Sequence, residues 1–309
     1  MTDPLRNDIV DCIVIGGGPA GLTAAIYLAR YHLTVTVFDD LTSRAATIPI
    51  SHNHAGFPEG ISGKDLLARM RAQVVQYGAD VRHHRVASLI KDRGTFIARY
   101  DHGELRARSV LIATGVVNQR PEMPAQQHDQ AVARGLIRYC PVCDGYEITD
   151  RRVGVIGRGT SAFKEALFLR SFTRDITIIS PGDDHGLSCE ELGRLKDASI
   201  RALTGPVLSV ELSEDSIDIV MREERLSFAS IYPALGSDIR SSLVESLEAK
   251  RSEDGCILVD SHQRTSVSGL YAAGDVVIGL DQISHAMGQA GVAATAIRND
   301  LGEMKTRFR

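Results

Sequence analysis

The sequence has little net charge, few cysteines and no long unbroken apolar run, and each shortage removes a class of function. Lys and Arg total 35 against 39 Asp and Glu, a formal net charge of −4. That balance gives no electrostatic footprint for nucleic acid or for an anionic membrane surface. The apolar stretch from Cys12 to Phe38 is interrupted by Gly16-Gly17-Gly18-Pro19 and by Arg30, so it does not read as a membrane span. Five cysteines, an odd number, do not suggest a disulfide framework, and no secretory signal is recognisable. A reducing, cytoplasmic setting is therefore expected. Cys12, Cys189 and Cys256 are isolated, and no second C-x-x-C or C-x-x-H accompanies Cys140 and Cys143. A zinc site is short of ligands on that count, and no metal is expected.

What the sequence does contain is organised for nucleotides and sulfur. With 309 residues and 43% hydrophobic content, it has material for about two globular domains. Asp11 to Ile15 reads as a short buried strand, followed by Gly16-Gly17-Gly18-Pro19-Ala20-Gly21, an Ala- and Leu-rich helix over Leu22 to Arg30, and a second strand, Thr34 to Phe38, ending at Asp39. This is the dinucleotide fingerprint inside its βαβ unit. Gly16 makes the tight turn, Gly18 admits a pyrophosphate to the backbone, and Gly21 lets helix and strand pack closely. The helix N-terminus beyond Pro19 and Ala20 turns its free N–H groups to the phosphates, and Asp39 stands where a carboxylate bonds ribose hydroxyls.

The pattern then repeats. Strands around 80–85, 87–91, 95–100 and 106–113 end in Ala113-Thr114-Gly115, and a polar, proline-containing stretch from Pro121 to Gln130 suits a domain crossing. Val153 to Ile156 opens a second unit with Gly157-Arg158-Gly159-Thr160-Ser161-Ala162, and Ala234-Leu235-Gly236 echoes Ala113-Thr114-Gly115. The offset that separates Asp39 from Gly16 lands, counted from Gly157, on Ser180, followed by Pro181 and Gly182. There is no carboxylate there for an NAD ribose and no Arg for an NADP phosphate. Asp183, close by, is the one residue that reaches a ribose on the alternative reading.

Between the two fingerprints lies Cys140-Pro141-Val142-Cys143-Asp144. Two thiols at this spacing close a small disulfide, and Asp144 is a carboxylate placed to move a proton to or from a leaving thiolate. Near the end, Ala272-Ala273-Gly274-Asp275 reads as a strand end with a carboxylate for a ribityl hydroxyl. A helix from Gln282 begins near Ser284-His285-Ala286, its positive end suited to an anionic ring. His285 is a candidate catalytic group there. The basic tail Lys305 to Arg309 reads as a frayed terminus, or as a segment whose Phe308 stacks on the ring of a bound cofactor.

Gly16-Gly17-Gly18-Pro19-Ala20-Gly21, Ala113-Thr114-Gly115, Cys140-x-x-Cys143-Asp144-Gly145 and Ala272-Ala273-Gly274-Asp275 occur in one order. That order resembles the low-molecular-weight thioredoxin reductases, homodimeric FAD flavoproteins, over nearly the whole chain. The resemblance implies an α/β protein of two Rossmann-like three-layer nucleotide-binding domains, the second inserted in the first. The FAD domain would take residues 1–117 and 245–309, and the inserted NAD(P)-type domain bearing the disulfide residues 118–244. It implies FAD on Gly16, Gly18, Pro19, Ala20, Gly21, Asp39, Arg44, Asn53, Val86, Ala113, Thr114, Gly115, Gly274, Asp275 and Ala286. It gives Cys143 the position facing the flavin, Cys140 the attack on a partner disulfide, and Asp144 the proton.

Departures from the family pattern bear on the electron donor. The family's His-Arg-Arg for NADPH is replaced by Ser180-Pro181-Gly182, and Arg44-Ala45-Ala46 stands about where a Gly-Gly-Gln stretch is found. The chain looks closer to two offshoots. One comprises thioredoxin reductases, deeply rooted or ferredoxin-linked, that do not use NADPH. The other comprises dithiol oxidases with a similar C-P-x-C-x-G-Y-E run, which pass electrons to oxygen. The expected partner is a thioredoxin-like protein or a small dithiol, with a ferredoxin or a flavin as donor.

Overall fold

The computed structural model describes residues 9–304. The tail with Phe308 lies outside the described residues. The chain divides into two compact units. One takes the residues up to Ala46, Gly63–Val117 and those from Ile239 on; the other takes Thr47–Ser62 and Asn118–Asp238. The polar segment Thr47–Ser62 thus groups with the second unit, whereas the sequence reading placed it in the first. The second unit also ends at Asp238, short of the boundary at 244.

In the first unit, β1 (Val10–Ile15), α1 (Pro19–Arg30) and β2 (Val35–Phe38) form the opening βαβ motif, followed by α2 (Gly63–Gln76) and β3 (Asp80–Arg82). β4 (Val86–Asp92), β5 (Thr95–Tyr100) and β6 (Gly103–Ile112) complete one sheet ordered β3-β2-β1-β6-β5-β4, with Leu270–Ala272 also pairing with β6. The pairings β1–β2, β1–β6 and β2–β3 are parallel, those of β5 with β4 and β6 antiparallel. β1 is buried from Asp11 to Ile15, which is why it reads as an apolar run without alternation. Pro19 opens α1 with a preset φ and no N–H to satisfy. The helix stops at His32, which takes the left-handed position (φ 61), while the Leu33 amide donates back to the Leu28 carbonyl at 3.2 Å. α1 packs along the C-terminal helix Ile283–Met304.

The second unit has a parallel sheet ordered 201–204, 176–180, 153–157, 230–234, and an antiparallel sheet ordered 207–212, 217–221, 225–228. Helix Gly159–Leu169 packs on the parallel sheet through Ala162, Phe163, Ala166 and Leu169. The expected domain crossing is in part a helix, Ala125–Ala133, whose buried face is only His128 and Ala131. That face is too narrow for the surrounding polar sequence to reveal. Helix Cys189–Asp197 was also missed, although Ser188 and Glu191 form a reciprocal capping box that its sequence spells out. No helix among the described residues is long and apolar enough to cross a membrane.

Candidate functional site

The first glycine turn is shaped by close backbone approach. Gly16 sits at φ 118, and a side chain there would drive into the Ala113 carbonyl. A Cβ at Gly21 would strike the Gly16 carbonyl, and one at Gly17 the Asp39 carboxylate. No side chain caps the first turn of α1, so its opening N–H groups are not claimed by a capping residue. Asp39 is buried: its Oδ1 accepts the Leu41 amide at 2.9 Å and its Oδ2 accepts Arg71 Nε at 2.8 Å. Arg71 is a partner the sequence reading missed. It lies half-buried at the margin of the face of α2 that buries Leu67, Met70 and Val74, where a basic residue carries no signal. Val86 opens β4 within the core that also holds Phe38.

The returning C-terminal segment joins this turn. Gly274, at φ 83, lies where a Cβ would come within 2.9 Å of Ala20 Cβ and 3.7 Å of Ala286 Cβ, and its amide donates to Gln289 Oε1 at 2.8 Å. Asp275 pairs with Arg44 Nη2 at 2.8 Å; burial pushes its carboxyl up, and Arg44 pulls it back down. Thr114 Oγ1 donates to the Arg240 carbonyl at 2.5 Å, and the Gly115 carbonyl accepts the Arg240 amide at 3.0 Å. His285 lies in the first turn of the C-terminal helix, and its buried Nε2 has no hydrogen-bond partner among the described residues. A buried imidazole nitrogen in that state is a group set up for a ligand atom.

In the second unit, Cys140 and Cys143 are joined as a disulfide across a Cα–Cα span of 5.2 Å. Cys140 caps the short helix Pro141–Asp144, where Pro141 fills the first position and the Cys143 amide donates to the Cys140 carbonyl at 2.9 Å. Tyr139 is held from the missed helix by His128, whose Nε2 lies 2.7 Å from the phenol oxygen. Asp144 is clamped: Arg138 Nη1 lies 3.1 Å from Oδ2, and the Tyr232 hydroxyl donates to Oδ1 at 3.0 Å. Burial pushes the Asp144 carboxyl up, against the pull of Arg138 and of Tyr232. Glu165, half-buried on helix Gly159–Leu169, is raised by burial to about 7, with the Asp144 charge adding to the effect. Asn53 belongs to this unit, where its Nδ2 donates to the Val142 carbonyl at 3.3 Å.

Arg138, Tyr232 and Glu165 were not read from the sequence. The available signals were an Arg two positions before a redox cysteine and a Tyr inside an otherwise apolar strand. Glu165 offered none, since acids are ordinary on helix surfaces.

The second glycine turn differs from the first. The Gly159 amide donates to the His185 carbonyl at 2.7 Å. Arg158 Nη2 pairs with Asp184 Oδ1 at 3.2 Å, and the same oxygen accepts the Gly186 amide at 2.6 Å. Ser180, fully buried, donates its Oγ proton to the Asp184 carbonyl at 2.6 Å. The loop after the second strand therefore folds onto the turn where a dinucleotide's phosphates would be cradled.

The chain matches the family described as pyridine nucleotide-disulphide oxidoreductase over residues 10–290. It belongs to that family. The thioredoxin reductase of Mycolicibacterium smegmatis is 32% identical over 278 residues, 86% of this chain and 88% of that protein. A bifunctional thioredoxin reductase/thioredoxin of Mycobacterium leprae (strain TN) is 33% identical over 89% of this chain, which spans 62% of that longer protein. The crystal structure of thioredoxin reductase from Streptococcus pyogenes MGAS5005 superposes with a TM-score of 0.89 at 25% identity, covering 96% of this chain and 100% of that one.

As a member of this family, the chain is a flavin-dependent thiol–disulfide oxidoreductase of thioredoxin reductase type, with FAD as its cofactor and two Rossmann-like units. The first glycine turn fits that cofactor: it is a cradle that any added Cβ would fill, beside an uncapped helix start and an unpartnered His285 nitrogen. When bound, FAD supplies two-electron chemistry matched to a dithiol–disulfide couple. The residues that would hold it are those of the Gly16–Gly21 turn, Asp39, and the Arg44–Asp275 pair.

Proposed function

We propose that this enzyme exchanges electrons between FAD and the Cys140–Cys143 disulfide and passes them to a thioredoxin-like protein, drawing them from a donor other than NADPH. Two electrons and two protons convert the enzyme disulfide to a dithiol. The Cys140 thiolate then attacks the partner's disulfide, and Cys143 resolves the mixed disulfide, releasing the partner as a dithiol. Asp144 exchanges a proton with the departing thiolate, held in place by Arg138 and Tyr232. The names of the relatives support thioredoxin as the partner class. A ferredoxin or a reduced flavin is the donor class, and a cytoplasmic homodimer is the working form.

The observation that carries the donor reading is the Gly159 amide bound to the His185 carbonyl, with Ser180 where a nucleotide-selecting residue is needed. Phosphate oxygens have to displace that carbonyl before they gain the amide. The test is anaerobic mixing of the yellow, FAD-loaded protein with stoichiometric NADPH and, separately, NADH. Flavin absorbance is expected to persist; rapid bleaching by NADPH sinks the donor reading. Dithionite-reduced protein is then offered oxidised thioredoxin, which is expected to become a dithiol. If thioredoxin stays oxidised while small dithiols under air yield hydrogen peroxide, the enzyme is a dithiol oxidase instead.

A further inference from the structure

Two histidines and an aspartate meet in the first unit where β3, β4 and the β5–β6 turn come together. β5 and β6 are joined by a two-residue turn, Asp101-His102, closed by the Tyr100–Gly103 pair, with Gly103 at φ 134. His84 stands between β3 and β4, its amide donating back to the Arg82 carbonyl at 2.9 Å. Its Nδ1 lies 3.1 Å from Asp101 Oδ1, and His102 Nε2 lies 3.5 Å from Asp101 Oδ2. The two imidazoles meet edge-on with ring centroids 4.6 Å apart. One donor atom from each of the three residues falls within 4.8 Å of the others. Tyr100 backs the cluster, its ring 5.4 Å from that of His84 and its hydroxyl bonded to Arg82 Nη1 at 3.0 Å.

We propose that His84, Asp101 and His102 form a binding site for a divalent transition ion of the zinc, copper and nickel class. Ligand bonds of about 2.0–2.2 Å in a tetrahedral arrangement hold donor atoms about 3.3 Å apart. His84 and His102 approach the two oxygens of Asp101 at 3.1 and 3.5 Å, and with one donor atom of each residue within 4.8 Å of the others, side-chain rotation alone brings three donors around one ion. Two imidazoles with one carboxylate suit these ions, whereas magnesium and calcium call for oxygen donors. The side chains are 30% (His84), 64% (Asp101) and 67% (His102) exposed, so water completes the coordination. Arg82, the adjacent cation, is engaged by Asp80 at 2.7 Å. The bound ion ties the β5–β6 turn to the chain just before β4.

The test is calorimetric titration of the full-length, FAD-loaded protein with Zn²⁺, its Cys140–Cys143 pair kept oxidised and both the exposed Cys189 and the half-buried Cys256 alkylated, leaving only the buried Cys12 as a free thiol. Co²⁺ is titrated in parallel and followed by its visible absorption. One equivalent is expected, with the intense band of four-coordinate cobalt. His84→Ala, His102→Ala and Asp101→Asn, which keeps a turn-forming residue, each weaken binding at least about tenfold. Zn²⁺ raises the melting temperature of the parent but not of Asp101→Asn, and flavin absorbance reports that each variant is folded. Absence of one-equivalent binding by the parent overturns the proposal, and so does unchanged affinity in the His84→Ala/His102→Ala double variant.

Discussion

The two units use one plan, strand–glycine turn–helix–strand, and end it differently. After β2 the chain offers Asp39, seated against Gly17 and tied by Arg71. After Ile176–Ser180 it offers a neutral serine, and the following loop returns to bind the glycine turn through His185 and Asp184. Identical topology therefore leaves the opening amides of the first turn without a capping side chain and gives the Gly159 amide of the second to the His185 carbonyl. The difference lies in a few residues past the second strand, beyond the part that specifies the fold.

The comparison can be broken most decisively at the sulfurs. If the second unit contributes its disulfide and no nucleotide site, Cys140→Ser lowers disulfide exchange more than about 10³-fold. Gly159→Ala leaves it near the parent rate in a thioredoxin reduction assay. The glycines give the next contrast. Gly16→Ala places a methyl on the Ala113 carbonyl at a left-handed φ, costing about 3–5 kcal/mol and the bound flavin. Gly159→Ala meets no atom closer than 3.8 Å and costs about 1–2 kcal/mol for its φ alone. Urea unfolding and flavin retention measure both. Installing Pro181→Arg and Gly182→Arg together, which keeps the buried Ser180 tie to the Asp184 carbonyl, is expected not to confer NADPH reduction, because the Gly159 amide is still taken by His185.

A smaller effect is set by pH. Glu165 binds its proton more tightly folded than unfolded, with a value raised from 4.5 to about 7. Its contribution is complete below pH 4.5, declines as the pH rises through this window, and is lost above 7. Glu165→Gln should therefore be more stable than the parent at pH 8, by about 1–2 kcal/mol after allowance for its exposure, and equal to it at pH 4. Smallest is a labelling contrast. Burial pushes the Cys12 thiol up to about 12, so a thiol reagent should modify exposed Cys189 and leave Cys12 untouched in the native protein.

The βαβ units were legible because buried parallel strands and glycine turns obey local rules. Gly16, Gly21 and Gly274 could be assigned from pattern alone, and the structure gives each a backbone or Cβ neighbour that excludes a side chain. The clamp on Asp144 was not legible. Arg138 and Tyr232 reach it from segments 6 and 88 positions away, and nothing local marks such a meeting. The closed second turn was half legible: the missing acid at Ser180 could be counted, but a carbonyl folding onto Gly159 depends on a loop with no periodic signal. The grouping of Thr47–Ser62 with the second unit rests on contacts such as Asn53 with Val142, again distant in sequence.

Gly17 and Asp39 occupy one shared volume, and that has a consequence for anyone wishing to retune the first cradle. A methyl at position 17 and a carboxylate at position 39 exclude each other, so the two positions act as a lock with a single key. Asp39→Gly opens room that the methyl of Gly17→Ala then fills. The paired change should recover much of the folding that Gly17→Ala alone destroys, while removing the buried carboxylate. Altered cofactor preference in this scaffold therefore has to be sought two positions at a time.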